Sequence, residues 1–200
     1  MVYLIIAVTC IVSILGFRDS NIFYKLLFSP YQTLKRGQYY RILTHAFLHA
    51  NTTHLLINML VLWSFGGVLI AYFGWFFEID GGILFLLFYL SAAIFSSLYS
   101  LLKHKNNPYY SAIGASGATS AVVYASIFFD PWHKVLFFGV LPIPGIIFGV
   151  IYLVYEYIMG KQAKDNIGHD AHFWGAVYGF CFPLLLKPEL WKHFSMKICG

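Results

Sequence analysis

Three short runs in this chain set chemically able side chains among glycine and alanine. The first, Gly114-Ala115-Ser116-Gly117-Ala118, follows a polar gap containing Pro108 and opens an apolar stretch. Ser116 is therefore expected in the first turn of a helix, where unpaired backbone N–H groups and the positive end of the dipole suit an oxyanion. The second, Ala171-His172-Phe173-Trp174-Gly175 with Gly179 one turn on, heads another apolar stretch. On a helix, positions 172, 175 and 179 share one face, so the imidazole stands beside two residues without bulk. The third runs from Thr44 to Asn58 and carries His45, His49, His54 and Asn58. Asn51, Thr52 and Thr53 read as capping residues, which starts a helix near His54 and sets His54 and Asn58 one turn apart on one face.

Each run has a plainer explanation when taken alone. GASGA suits close helix packing of the GxxxG kind, and a single histidine in an apolar helix is commonly a satisfied core residue. Together the runs supply a hydroxyl nucleophile (Ser116), a general base (His172) and hydrogen-bond donors for an oxyanion (His54, Asn58 and the Ser116 backbone N–H), the parts that acyl transfer needs. Gly114, Gly117, Gly175 and Gly179 are then the residues that let the two helix starts pack closely. Asp170 precedes His172 by two positions and points about 200° away on a helix, so a Ser–His dyad is expected rather than a triad.

Other chemistries fit less well. His45 and His54 are nine residues apart, about half a turn out of phase on one helix, and HExxH is absent because no acid occurs between Asp19 and Glu78. Aspartyl chemistry needs two acids at membrane depth, whereas Asp19, Glu78, Asp80, Asp130, Glu156, Asp165, Asp170 and Glu189 fall nearly all in gaps or at segment ends. No metal and no cofactor is expected.

The elements that must position these groups are membrane helices. Hydrophobic residues make up 60% of the 200 positions and charged ones 10%, against about 25% in soluble domains, and the mean hydropathy is +0.71. Six apolar segments lie near 2–17, 54–73, 82–102, 115–129, 134–158 and 169–186, and several approach the roughly 20 residues that cross a bilayer as a helix. We expect an all-α, six-helix polytopic bundle forming a single domain over residues 1–200. A long structured loop, Arg18 to Thr53, joins the first two helices. Pro142 and Pro144 are expected to kink the fifth. The first segment lacks a preceding Lys or Arg and a small-residue cleavage site, so it reads as a retained helix, with a signal peptide as the alternative.

The net charge of +5 comes from Lys and Arg scattered through the polar gaps, which points to lipid headgroups as partner and away from nucleic acid. Cys10, Cys181 and Cys199 are far apart and support neither a disulfide framework nor a zinc site. With a cytoplasmic N-terminus, about nine basic residues fall in the outer gaps and four (Lys134, Lys187, Lys192, Lys197) in the inner ones, the reverse of the usual rule.

The order His54/Asn58, then GASG with Ser116, then AHxxGxxxG with His172 resembles the rhomboid family of intramembrane serine proteases, from about Tyr40 to Gly179. The stretch THAFLHANTTHLLINMLVLWSFGG, ending in Gly66-Gly67, is similar to that family's second-helix signature, and Tyr40-Arg41 stands where its aromatic-Arg pair begins the first loop. The resemblance implies Ser116 as nucleophile, His172 as general base, and an oxyanion held by the Ser116 N–H with the side chains of His54 and Asn58. It implies transmembrane proteins as substrates, a cytoplasmic N-terminus and a multi-pass location, taken as the bacterial inner membrane. A rhomboid-like protein that binds transmembrane segments without cutting them is the alternative. Two positions depart from the pattern. Ile70 replaces a glutamate that anchors the first loop in many members, and Ser120 replaces a tyrosine that stacks beneath the histidine in several, so both jobs must be done otherwise.

Overall fold

A computed structural model describes residues 1–137, 140–162, 165 and 167–200 of the chain. Helix α1 (Val2–Arg18) is followed by three short helices, α2 (Ser20–Leu26), α3 (Pro30–Lys35) and α4 (Arg41–Thr44), and a turn of 3₁₀ helix at His45–Phe47. Then come α5 (Thr52–Phe77), α6 (Gly81–Lys103), α7 (Ser116–Phe129), strands β1 (Lys134–Phe137) and β2 (Leu141–Pro144), α8 (Gly145–Gln162), α9 (His169–Leu186) and α10 (Leu190–Cys199).

Local chemistry sets several of these boundaries. Asn51, in extended backbone, accepts the N–H of His54 at 2.8 Å and starts α5, as its capping residue type predicts. Asp80 does the same for α6 through the N–H of Ile83, at 2.8 Å. Ser116 starts α7 after Ala115, which offers no side-chain cap, so the first-turn N–H groups of α7 are left to other acceptors.

Five of the six apolar segments coincide closely with α1, α5, α6, α7 and α9. The fifth does not. Lys134–Phe137 and Leu141–Pro144 pair as antiparallel strands, Lys134 opposite Pro144 and Phe137 opposite Leu141, and the helix begins only at Gly145. Pro142 and Pro144 bring no N–H for a helical ladder, so they sit on a two-stranded edge instead of kinking a helix, and the class is mostly helical rather than all-α. Helix α10, in a charged stretch after Pro188, was not anticipated.

Helix α7 is the centre of the molecule, with every residue from Gly117 to Phe129 buried. Leu62, Leu69 and Phe73 of α5 and Phe85 and Phe88 of α6 belong to the same core and have essentially no exposure. The outer faces are the reverse of a soluble surface: Leu56, Ile57, Leu60 and Trp63 on α5 and Leu87 and Leu102 on α6 each remain more than half exposed. Apolar bands of that extent belong against lipid. Helices α5, of 26 residues, and α6, of 23, are long and apolar enough to cross a membrane, while α1 and α7 are shorter apolar helices.

Candidate active site

The starts of α7 and α9 meet. A Cβ at Gly175 would overlap the carbonyl oxygen of Gly117, and one at Gly179 would overlap that of Ala121, so the two backbones touch along this seam. A Cβ on Gly117 would also strike Ser96 of α6 and lie 3.2 Å from the carbonyl of Ala171. Three of the four expected packing glycines thus serve the α7–α9–α6 junction. Gly114 does something else. Its φ of +118° is one that L side chains rarely adopt, and it bends the chain into Ser116 beside His54. A Cβ there would lie 3.0 Å from His54 Nε2 and 3.7 Å from Ser116 Oγ.

Ser116 is partly buried and lines a small cavity of about 30 Å³ with Ser96, Ser97 and Ser100 of α6 and with Gly168 and Ala171. Such a space is enough for a water molecule. Asn58 is buried, its amide donating to the His54 carbonyl at 2.9 Å and its Oδ1 accepting from Thr119 Oγ1 at 2.9 Å. One N–H of that amide remains for another acceptor. His54 packs edge-to-face on His49, with ring centroids 4.9 Å apart, and lies within electrostatic reach of His172. Ser116, His54, Asn58 and His172 therefore share one end of the bundle, although among the described residues no hydrogen bond joins the Ser116 hydroxyl to the His172 imidazole.

Two histidines of the connecting segment hold the serine loop from outside the long helices. The carbonyl of His45 accepts from Gly114 N at 3.0 Å, and His49 Nε2 accepts from Ala115 N at 3.4 Å. Both rings are buried and kept neutral, burial and then the nearby His54 lowering His49 to about 3 and burial lowering His45 to about 4.

The partner of His172 is a residue that the sequence left among segment-end acids. Glu156, on α8 and buried, accepts from His172 Nδ1 through Oε1 at 3.1 Å and from His169 Nδ1 through Oε2 at 2.5 Å. Asp165 receives the other nitrogen of His169 at 3.1 Å. The signal available was the spacing of His169 and His172 together with one acid near the end of an otherwise apolar segment. Asp170 pairs instead with Lys103 of α6 at 2.7 Å, in keeping with its expected direction away from His172.

Donor atoms of Glu156, His169 and His172 lie within 4.8 Å of one another, the one such group among the described residues that could hold a metal ion. Two ligands of a tetrahedral zinc stand about 3.3 Å apart. The 2.5 Å separation of Glu156 and His169 is a hydrogen-bond distance, so the arrangement as folded is a proton network.

The two departures in the sequence also find their counterparts. Arg41, buried, donates to the carbonyls of Tyr24 at 2.8 Å and Leu27 at 2.7 Å and to Oε1 of Gln38 at 2.6 Å and of Gln32 at 3.3 Å. The first connecting segment is thus tied to itself, without a carboxylate at position 70. Ser120 leaves room for Tyr152 of α8, whose hydroxyl stands 3.4 Å from Ser120 Oγ.

A model of the rhomboid domain matches residues 36–189, a span that takes in Arg41, His54, Asn58, Ser116, Glu156 and His172. The chain belongs to the rhomboid family. Among similar rhomboid proteins, GluP of Bacillus subtilis, a rhomboid protease, is 31% identical over 74% of this chain and 26% of its own length. RHOMBOID-like protein 12 of Arabidopsis thaliana, mitochondrial, is 26% identical over 72% of this chain and 45% of its own. An uncharacterised mitochondrial rhomboid protein of Schizosaccharomyces pombe is 23% identical over 84% and 55%. The chain thus spans about half the length, or less, of these relatives. Membership makes this rhomboid an integral membrane protein. Relatives with mitochondrial names stand beside the bacterial one, so the comparisons do not support the bacterial inner membrane expected from the sequence.

Proposed function

We propose that this protein is an intramembrane serine endopeptidase that cuts transmembrane segments of other membrane proteins, with Ser116 as nucleophile and His172 as general base. The observation that carries the reading is the backbone contact between the N-terminal parts of α7 and α9 at Gly117 and Gly175, with His54 beside the approach to Ser116 at Gly114. In this reading the Ser116 hydroxyl attacks a substrate carbonyl while His172 takes its proton. The oxyanion is held by the Ser116 N–H, by His54 and by the remaining N–H of Asn58.

The membrane setting follows from lengths. Six helices, α1, α5, α6, α7, α8 and α9, form the bundle. Helix α7 has 14 residues, or about 21 Å, against a hydrocarbon layer of about 30 Å. A helix of that length falls short of the membrane surfaces, and the small cavity beside Ser116, between α6 and α7, has room for the one water that hydrolysis needs. Substrates with small residues at the cut and helix-weakening residues beyond it suit this site, because an intact helix presents no free carbonyl.

One observation favours a second reading, a rhomboid that binds transmembrane segments without cutting them: no hydrogen bond joins Ser116 to His172 among the described residues. Catalytic hydrogen bonds are often long before substrate arrives. Purified protein in proteoliposomes with a fluorogenic transmembrane peptide separates the two. Cleavage by the wild type, lost in both Ser116→Ala and His172→Ala, supports the protease; full cleavage by either variant removes the dyad, and binding without cleavage by the wild type selects the second reading.

A further inference from the structure

The sequence offers His172 no orienting partner, since Asp170 turns away and Ser120 stands where a stacking tyrosine would be. The structure supplies a buried carboxylate from a third helix. Glu156 is 3% exposed, and both its oxygens are taken by imidazoles, Oε1 by His172 and Oε2 by His169. A carboxylate at this depth is costly and survives only with partners. Tying α8 to α9 could be done by apolar contacts at lower cost.

Proton positions follow from the acceptors. A carboxylate oxygen accepts, so the N–H facing it must be His172 Nδ1–H, which leaves Nε2 as the basic nitrogen. His169 faces a carboxylate at each nitrogen, Glu156 at Nδ1 and Asp165 at Nε2, so it serves as a two-ended strut that fixes the Glu156 carboxylate from the far side. The titratable groups shown near His172 among the described residues are Glu156 of α8 at 3.1 Å, His54 of α5, and His169 of its own helix with ring centroids 6.2 Å apart, while Asp170 is paired with Lys103 of α6. Glu156 is the carboxylate in hydrogen-bond contact with the ring.

We infer that Glu156 is a positioning residue for the reaction, holding His172 in the Nδ1–H tautomer and balancing the charge the ring acquires. This rests on the protease reading. As the Ser116 Oγ–carbon bond forms and the carbonyl π pair moves to oxygen, the hydroxyl proton passes to His172 Nε2. The ring becomes an imidazolium whose Nδ1–H still faces Glu156. When the C–N bond breaks, the leaving nitrogen takes the Nε2 proton; Nε2 then takes a proton from the attacking water as its oxygen bonds the acyl carbon, and returns it to Ser116 Oγ as the C–Oγ bond breaks and the acid product leaves. Glu156 keeps its charge throughout and exchanges no proton.

The test is a steady-state comparison of the full-length wild type, Glu156→Gln and Glu156→Asp on the fluorogenic transmembrane peptide, with Ser116→Ala as blank. A wrong or unheld tautomer lowers kcat by roughly 10²–10⁴-fold. The expected result is a kcat loss of that size in Glu156→Gln, KM unchanged within about threefold, and recovery of at least tenfold of the loss in Glu156→Asp. A kcat within threefold of wild type in Glu156→Gln overturns the inference while leaving the protease reading intact. A wild type that neither cleaves the peptide nor labels with a fluorophosphonate at Ser116 takes both down. Should Glu156→Gln fail to fold, ¹⁵N spectra of wild-type His172 decide instead: a protonated Nδ1 with an unprotonated Nε2 upholds the inference, and the opposite tautomer ends it.

Discussion

The backbone N–H of Ala115 points at Nε2 of His49, 3.4 Å away, so a residue of the first connecting segment holds the peptide immediately before Ser116. The other ring nitrogen, Nδ1, is 3.0 Å from Ser13 Oγ, and that hydroxyl in turn donates to the Phe47 carbonyl at 3.0 Å. A chain of bonds thus runs from α1 through a neutral imidazole to the start of α7. In the proposed mechanism the N–H groups just beyond Ala115 meet the oxyanion, and their direction depends on how this loop is fixed.

Replacing His49 by Phe keeps the ring and removes both bonds. A buried N–H left without an acceptor costs about 1–3 kcal/mol. We expect His49→Phe to unfold at a lower temperature than wild type in detergent, and to cleave a transmembrane peptide at least tenfold more slowly at temperatures where it is folded. Unchanged cleavage at full folding would mean that the serine loop is held without this bond.

The same two histidines make stability depend on pH. In the unfolded chain His45 and His49 take up protons near pH 6.5, whereas the folded protein keeps them neutral down to about 4 and about 3. Between those limits the unfolded state binds more protons, so stability falls as pH falls. The stabilisation is complete above pH 6.5 and is lost progressively below it, by roughly 2–3 kcal/mol for each histidine at pH 4.5. Thermal unfolding followed from pH 7.5 to 4.5 should show this decline, and His49→Phe should show a shallower one. A flat profile in the wild type would mean that these rings are solvated.

Much of this site could be read from the chain because its signals are local. The GASG run gives a small-residue helix start, and Asn51 gives the cap that phases His54 with Asn58; both depend on neighbours within four residues. Glu156 was illegible for the opposite reason. Its partners are 13 and 16 residues away on another helix, and in the sequence it reads as one acid near the end of an apolar run. The pairing of β1 with β2 is hidden by hydrophobicity alone, since an apolar run does not say whether its backbone pairs along a helix or with another strand. Pro142 and Pro144 carried that information as missing N–H donors. Arg41 was placed by resemblance at the start of the loop, but its acceptors, two carbonyls and two glutamines, are defined by how α2 and α3 fold back.

Glycine content does not predict glycine importance here. A Cβ at Gly175 would meet the backbone of Gly117, which cannot rotate aside, whereas one at Gly67 would meet nothing within 4 Å. Gly175→Ala must separate α7 from α9 and is expected to cost about 1–3 kcal/mol or more. Gly67→Ala lies mid-helix on α5 and is expected to be neutral or to stabilise by up to about 1 kcal/mol through backbone entropy. Thermal unfolding of the two variants checks the contrast. Equal melting behaviour would mean that the α7–α9 seam yields more readily than backbone contact allows.

Arg41 supplies the last case. Its guanidinium donates to the carbonyls of Tyr24 and Leu27 at the end of α2 and to Gln32 and Gln38, a spread of four acceptors that a planar fork reaches and a single ammonium does not. Position 70, an isoleucine, brings no carboxylate, so the charge is balanced by backbone and amide dipoles, which favour a cation at a helix C-terminus. Arg41→Lys should therefore loosen the segment from 19 to 51 nearly as much as Arg41→Ala does, by about 1–3 kcal/mol of local stability. Hydrogen exchange is the measurement: faster exchange is expected at the amides of α2 and α3 in both variants, with α6 and α7 protected as in wild type. Adding Ile70→Glu to Arg41→Lys tests the alternative directly, because restored protection would mean that a carboxylate at 70 reaches the cation after all.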